Sequence, residues 1–293
     1  LEFAEKISKA GTQPIIGTQI NLYNDNIIGK VSLYATSEKG YKNLTKLSST
    51  SYLKNQNTNE PSCSIEDLIF NNEDLILLTG SYNNFFGKLF YANKEKIFIK
   101  SIEKIKKAFN NRLYIEIQRH GEDQEKNYEN YLLNLSSSYE LPLIASQEVF
   151  YIDPSMSEAH DALICIGEKQ FIDDQNRFRY SNQHYLKTDN EIKKLYNDLP
   201  EALENNYNFP FRFHFKPKKS KPILPSLSNN KNISAVDDLV KQAKDGLSIR
   251  LENFIYKKNT NQSSNEIKKI YEDRLLHELD IINSMDYSSY FLI

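Results

Sequence analysis

The stretch from Leu113 to Gly167 constrains the fold most, because its hydrophobic period changes twice. Leu113 to Ile117 is β-rich and stops at Arg119-His120-Gly121. Glu122 to Leu135 then sets Tyr128, Tyr131, Leu132 and Leu135 at helical spacing among charges. Leu141 to Ala145 is again a short apolar run. This is strand, helix, strand, the repeating unit of an α/β sheet. Polar side chains at the Arg119 turn therefore project from a strand end, where α/β folds keep their sites. The stretch also holds two of the five histidines, His120 and His160, and one of the two cysteines, Cys165.

The remaining chain fits the same alternation. Leu1 opens a helix with Phe3, Ala4 and Ile7 on one face and Gly11 as its stop. Pro14 to Tyr23 reads as a strand, Asn24-Asp25-Asn26 as a turn and Ile27 to Ala35 as the returning strand. Ser37 caps a helix to Leu47 with Tyr41, Leu44 and Leu47 as its apolar stripe, and Ser48 to Ser62 reads as an exposed loop. Ser64 and Asp67 form a capping-box pattern ahead of Phe70, Asp74 to Leu78 is a buried strand, and helical periods fill Phe85 to Phe109. Asp189 to Tyr196 and Leu199 to Asn206 are helical. Phe209 to Phe215 alternates aromatics at period two, which predicts a half-buried strand rather than a base-stacking surface. Lys216 to Lys221, with Pro222 and Pro225, reads as a solvated connector. Beyond it, Val236 to Phe254 and Asn265 to Ser284 are helical, the latter with Ile267, Ile270, Leu275, Leu279 and Ile282 on one face.

Composition excludes several classes. With 39% hydrophobic residues in 293, the chain can bury a core. No apolar run approaches the roughly 18 residues of a membrane span, and the N-terminus is no signal peptide, so a cytoplasmic protein with no membrane partner is expected. Cys63 and Cys165 form no CxxC, which argues against a disulfide framework or zinc finger. A formal net charge of −2 does not describe a body built mainly to grip nucleic acid.

Several blocks in order, EIQRHG, LPLIASQEVFYID, EAHDALICIG, HYLKTDNEIKKLYNDLPEALENN and KPILPSL, resemble the alpha subunits of bacterial DNA polymerase III. More narrowly, they resemble the N-terminal PHP (polymerase and histidinol phosphatase) domain of those subunits. The likeness runs upstream through LEFAEKISKAGTQPIIGTQINLY and downstream to YEDRLLHELDIINSMDYSSYFLI, nearly the whole chain. It implies an α/β fold, a distorted β/α barrel of PHP type, over residues 1–220. A linker at 221–231 and the start of a polymerase palm at 232–293 would follow. Leu1 in place of Met, and an end inside the apolar run Tyr290 to Ile293, suggest a fragment whose first barrel strands are missing. Such a barrel would expose sheet edges and be marginally stable alone.

The resemblance also implies chemistry. PHP domains that keep metals gather His, Asp and Glu ligands, because the ions must polarise a phosphate and generate hydroxide. Here the family's strand Glu falls on Gln19 of Gly17-Thr18-Gln19, its Asp-x-His pair on Glu148-Val149-Phe150, and a further histidine near Lys30. Amide, phenyl and ammonium groups are poor or impossible ligands. Gln19, His120 and Glu148 are thus candidates for a vestigial cleft, with no metal or catalytic residue assigned; otherwise His120 is a strand-end histidine bonded to backbone. His160 reads as a structural helix residue, Cys165 as a small core residue, and His184 and His277 as surface residues.

In such a polymerase, two Mg²⁺ ions serve nucleotidyl transfer from dNTPs to a primer-template. The catalytic aspartates and triphosphate loop are absent here, as is any Gly-x-Gly-x-x-Gly loop, so this chain should be inactive alone and need no cofactor. Expected partners are primer-template DNA, the proofreading exonuclease subunit, the sliding clamp and other replisome subunits. The alternative is a stand-alone PHP phosphoesterase or 3′ to 5′ exonuclease.

Overall fold

A computed structural model describes residues 1–54, 60–220, 233–258 and 263–293, so the linker expected at 221–231 lies outside the described residues. The chain divides into two compact units, Leu1–Lys218 and Lys219–Ile293.

The first unit opens with helix α1 (Glu2–Lys9) and is built on a five-stranded sheet in the order β1 (Ile16–Asn24), β2 (Ile27–Ala35), β3 (Leu75–Leu78), β4 (Leu113–Gln118), β5 (Leu143–Ser146). β2 is antiparallel to both neighbours, whereas β3, β4 and β5 are parallel. The β1–β2 hairpin turns on Asp25 and Asn26, with φ of 49° and 62°. Two positive φ values in succession match the right-handed twist of the strands, and Asp and Asn tolerate them. Helices α2 (Glu38–Leu53), α3 (Ile65–Phe70), α4 (Phe85–Tyr91), α5 (Glu95–Phe109) and α6 (Glu125–Tyr139) supply the crossovers.

Period-two alternation divides the strand side chains between two faces. Leu33, Leu77, Leu113, Ile115, Ile117 and Leu143 meet the helical layer and join Leu44, Phe86, Phe98, Ile102 and Leu132 in the main core. Ile76, Leu78, Tyr114 and Ile144 form a second cluster on the other face, sealed by Phe213. Each such side chain, fully buried, contributes roughly 1.5–3 kcal/mol.

Three expectations are corrected. Helix α2 runs beyond Leu47 to Leu53, because the Ser51 hydroxyl donates to the Ser48 carbonyl at 2.7 Å and so can be buried within the helix. Ser62, expected in an exposed loop, is fully buried and donates its backbone N–H to the Ser51 carbonyl at 3.2 Å, while the neighbouring Cys63 exchanges hydrogen bonds with Asn21 and Tyr23 along the outer edge of β1. At the sheet's other edge, side-chain amides of Asn205 and Asn206 in α9 (Pro200–Asn208) bond the backbone of Leu143 and Ala145 in β5.

Phe209 to Phe215 is also no strand. Pro210 starts a 3-10 turn over Phe209–Arg212, which brings Phe209 and Phe213 together at 5.0 Å against Tyr34 and Tyr114. Phe211 is left exposed, and Phe215 lies on Tyr41 at 5.2 Å. After β5 come α7 (Ser157–Glu168), where Cys165 is buried as expected, and α8 (Asp189–Leu195).

The second unit holds α10 (Ala235–Arg250), a π turn at Leu251–Ile255 leading into α11 (Tyr256–Lys258), α12 (Ser264–Ser284) and α13 (Ser288–Leu292). Of the expected apolar face on α12, Ile267 and Leu279 are buried, while Ile270 is 62% exposed. No helix among the described residues is long and apolar enough to cross a membrane.

Candidate functional site

With β3, β4 and β5 parallel and β1 running the same way, their C-terminal ends share one side of the sheet. Toward that side the inner face changes from apolar to polar. Gln19 pairs with Ser32 across β1 and β2, and Glu116 and Gln118 face Ile144 and Ser146 across β4 and β5. The Glu116 carboxyl is buried, and burial pushes its pKa up against the donors from Ser146, Gln118 and Gly80. One oxygen accepts from the Ser146 hydroxyl and from Gln118 Nε2; the other has no hydrogen-bond partner among the described residues.

At the rim, His120 lies two residues beyond the end of β4 and is 2% exposed. Its Nε2 accepts from the Glu148 backbone N–H at 3.0 Å, which places the ring proton on Nδ1, and Nδ1 donates to Glu125 Oε1 at 3.0 Å. The Glu125 carboxylate also accepts the backbone N–H groups of His120, Gly121 and Glu122 at 2.8–3.2 Å. The chain can pass so closely around it because Gly121 takes φ +79°. Burial alone would raise the Glu125 pKa, but the His120 donors outweigh it and hold the group below the usual carboxylate range.

His184 stacks flat on His120, with centroids 4.1 Å apart and planes within 1°. Phe150 covers the other face of His184 at 4.9 Å, and His160 of α7 lies on Phe150 at 4.8 Å. The His184 Nδ1–H donates to the Glu148 carbonyl at 3.1 Å. Its Nε2 is buried with no hydrogen-bond partner among the described residues, 3.9 Å from Glu122 Oε1. Burial, with His120 alongside, pushes the His184 pKa down to about 4, so the ring is neutral at pH 7. Four rings from four segments therefore form one column.

Arg119, next to His120, points to the other side. Its guanidinium forks onto Glu129 of α6 and onto Asp198, and lies over the Tyr196 ring at 5.0 Å. The Tyr196 hydroxyl closes the lock by donating to the Ile117 and Ser146 carbonyls at 3.1 and 3.0 Å. Arg119 is thus a structural clasp behind the strand end.

The structure brings His120 and Glu148 into direct contact, whereas Gln19 lies on β1 and its amide reaches Ser32 at 3.5 Å. Lys30 is exposed on β2. His184, expected at the surface, is 3% exposed; flanking Asn182 and Gln183 make its neighbourhood look polar, and the stack with His120 and Phe150, with Tyr180 edge-on at 4.9 Å, buries it. Glu125 was within reach of sequence reasoning, since it opens the helix that follows the His120 turn.

These residues do not fit a metal centre. Both His120 nitrogens are committed to hydrogen bonds, Phe150 fills the column with a hydrocarbon ring, and Gln19 offers only an amide. Among the described residues no group of three His, Cys, Asp or Glu side chains is arranged to hold an ion.

Residues 1–120, which include β1 to β4 and end at the site histidine, match the PHP domain family. Along its whole length the chain is 36% identical to DNA polymerase III subunit alpha of Rickettsia bellii, 33% to that of Caulobacter vibrioides and 30% to that of Vibrio cholerae. It covers 25%, 26% and 25% of those proteins, so the chain spans about a quarter of the length of the curated relatives it matches. The mixed α/β body on its five-stranded sheet, whose first four strands lie in the matched region, is followed in the chain by a helical segment.

Proposed function

We propose that this chain is the PHP domain, with the entrance to the palm, of a replicative DNA polymerase III alpha subunit. In that parent the PHP domain has exchanged metal chemistry for a structural role, bracing the polymerase and docking the proofreading exonuclease. The observation that carries the structural role is the double commitment of His120. A ligand must present a lone pair, and both of its ring nitrogens serve hydrogen bonds to Glu125 and Glu148. Nucleotidyl transfer, with its Mg²⁺ ions, dNTPs and primer-template, belongs on this reading to the remaining three quarters of the parent, along with contacts to the sliding clamp.

The test combines metal analysis with binding. The dialysed chain should hold well under one equivalent of zinc or manganese, show no primer extension with Mg²⁺ and dNTPs, and bind purified proofreading exonuclease subunit in a titration. One tightly held metal equivalent, with phosphodiester hydrolysis that His120→Ala abolishes, would replace this reading with that of a PHP phosphoesterase. Failure to bind the exonuclease subunit would remove the docking role and leave only the bracing one.

A further inference from the structure

Helix α5 carries five lysines against two glutamates in a chain whose formal net charge is −2. Its buried face is Phe98, Ser101, Ile102, Ile105 and Phe109. Lys96, Lys100 and Lys104 are exposed and recur at i, i+4 and i+8, so they stand in one row, each about 6 Å along the axis from the last. This row forms one wall of a groove of about 290 Å³, whose other side is Tyr23 and Asn24 at the β1 hairpin and Ile65 and Glu66 of α3. Glu66 accepts from Lys104 at 2.7 Å. Among the described residues Lys96 and Lys100 have no hydrogen-bond or ion-pair partner, which leaves the groove positive. Elsewhere on the same side the lysines are engaged: Lys94 holds Asp25 and Lys88 donates to the Ile28 carbonyl.

We propose that this groove binds single-stranded nucleic acid, with the unpaired Lys96 and Lys100 contacting successive backbone phosphates. A row of compact ammonium charges about 6 Å apart suits backbone phosphates contacted without sequence preference. The groove also offers what a bare lysine face lacks, an aromatic wall. The Tyr23 hydroxyl donates to Asn26 at 3.2 Å, which fixes a ring beside the lysine row as a platform for a base. A duplex has its bases stacked inside and could not use that ring. The inference does not depend on the role proposed for the strand-end site, because α5 packs on the helical face of the sheet.

The test is fluorescence anisotropy of labelled oligo-dT with the full 293-residue chain across a salt series. The comparison is with K96Q/K100Q and, as a charge-matched control, K193Q/K194Q on α8. Two fewer phosphate contacts should flatten the slope of log K against log salt by about 1.4. Between 50 and 200 mM salt the unmodified chain should then lose roughly sevenfold more affinity than K96Q/K100Q. Far-UV circular dichroism of the variants checks that folding is intact. Absence of oligo-dT binding, an equal loss in both double variants, or tighter binding of a duplex of the same sequence would each overturn the proposal.

Discussion

At His184 a neutral imidazole is held between His120 and Phe150, and its suppressed protonation makes stability depend on pH. The unfolded chain takes up this proton more readily than the folded one. Stability is therefore full above the ordinary histidine range near 6.5 and declines as pH falls toward about 4, by at most roughly 3 kcal/mol. Urea denaturation between pH 7.5 and pH 4.5 should show this slope, and His184→Phe, which keeps the stack but cannot titrate, should flatten it. Glu125 contributes in a separate window. Its pKa is depressed in the folded state, so its contribution is present above the ordinary carboxylate range and is lost as pH falls through and below it. Glu125→Ala leaves the His120, Gly121 and Glu122 donors without their acceptor and should cost about 3 kcal/mol, measured by the same denaturation at pH 7.5.

Among the elements, α2 and α3 show how local and tertiary constraints differ in size. Ser64 accepts from the Asp67 N–H, and the Asp67 carboxylate takes the Ser64 N–H in return. Ser64→Ala removes half of that exchange and should cost about 1 kcal/mol. Gly40 in α2 sits against the turn before β3, where an added Cβ would lie 2.2 Å from the Asp74 carbonyl oxygen. Backbone cannot yield as a flexible side chain can, so Gly40→Ala should cost about 2 kcal/mol, more than the lost cap. Thermal unfolding of both variants decides the order; an α3 cap that outweighs the Gly40 contact would mean that α2 can slide on the sheet.

For the molecule as a whole, the two units have unequal cores. Both hydrophobic clusters, and every residue of the histidine column and the Arg119 clasp, fall within Leu1–Lys218. In Lys219–Ile293 the buried apolar side chains among the described residues are Leu239, Leu251, Ile267 and Leu279. A helical body with so little burial is marginal by itself. Residues 1–218 expressed alone should unfold in one cooperative transition. Residues 219–293 should give a broad, shallow one. Circular dichroism melts of the two pieces check this, and a sharp, high transition for the second would show that its exposed faces assemble without the first.

The amino-acid sequence by itself determined the alternation of elements, because that alternation rests on local periods and turn chemistry. The Asp25-Asn26 hairpin, the Ser64 capping box, the β4–α6–β5 unit and the strand-end place of His120 all follow from residues close in the chain. The place of Cys63 was out of reach for the opposite reason: it is paired with Asn21 and Tyr23 of β1, some forty residues away in sequence. Aromatic alternation misled at Phe209–Phe215, since Pro210 redirects the backbone and Tyr34 and Tyr114 reward the turn instead. At the site, residue type alone marks Gln19 and Phe150 as poor ligand donors. That His184 is buried, that His120 spends both nitrogens on Glu125 and Glu148, and that Arg119 faces away were decided by tertiary structure alone. The protonation and partners of a side chain depend on what the fold brings within hydrogen-bonding distance, and those neighbours come from distant parts of the chain.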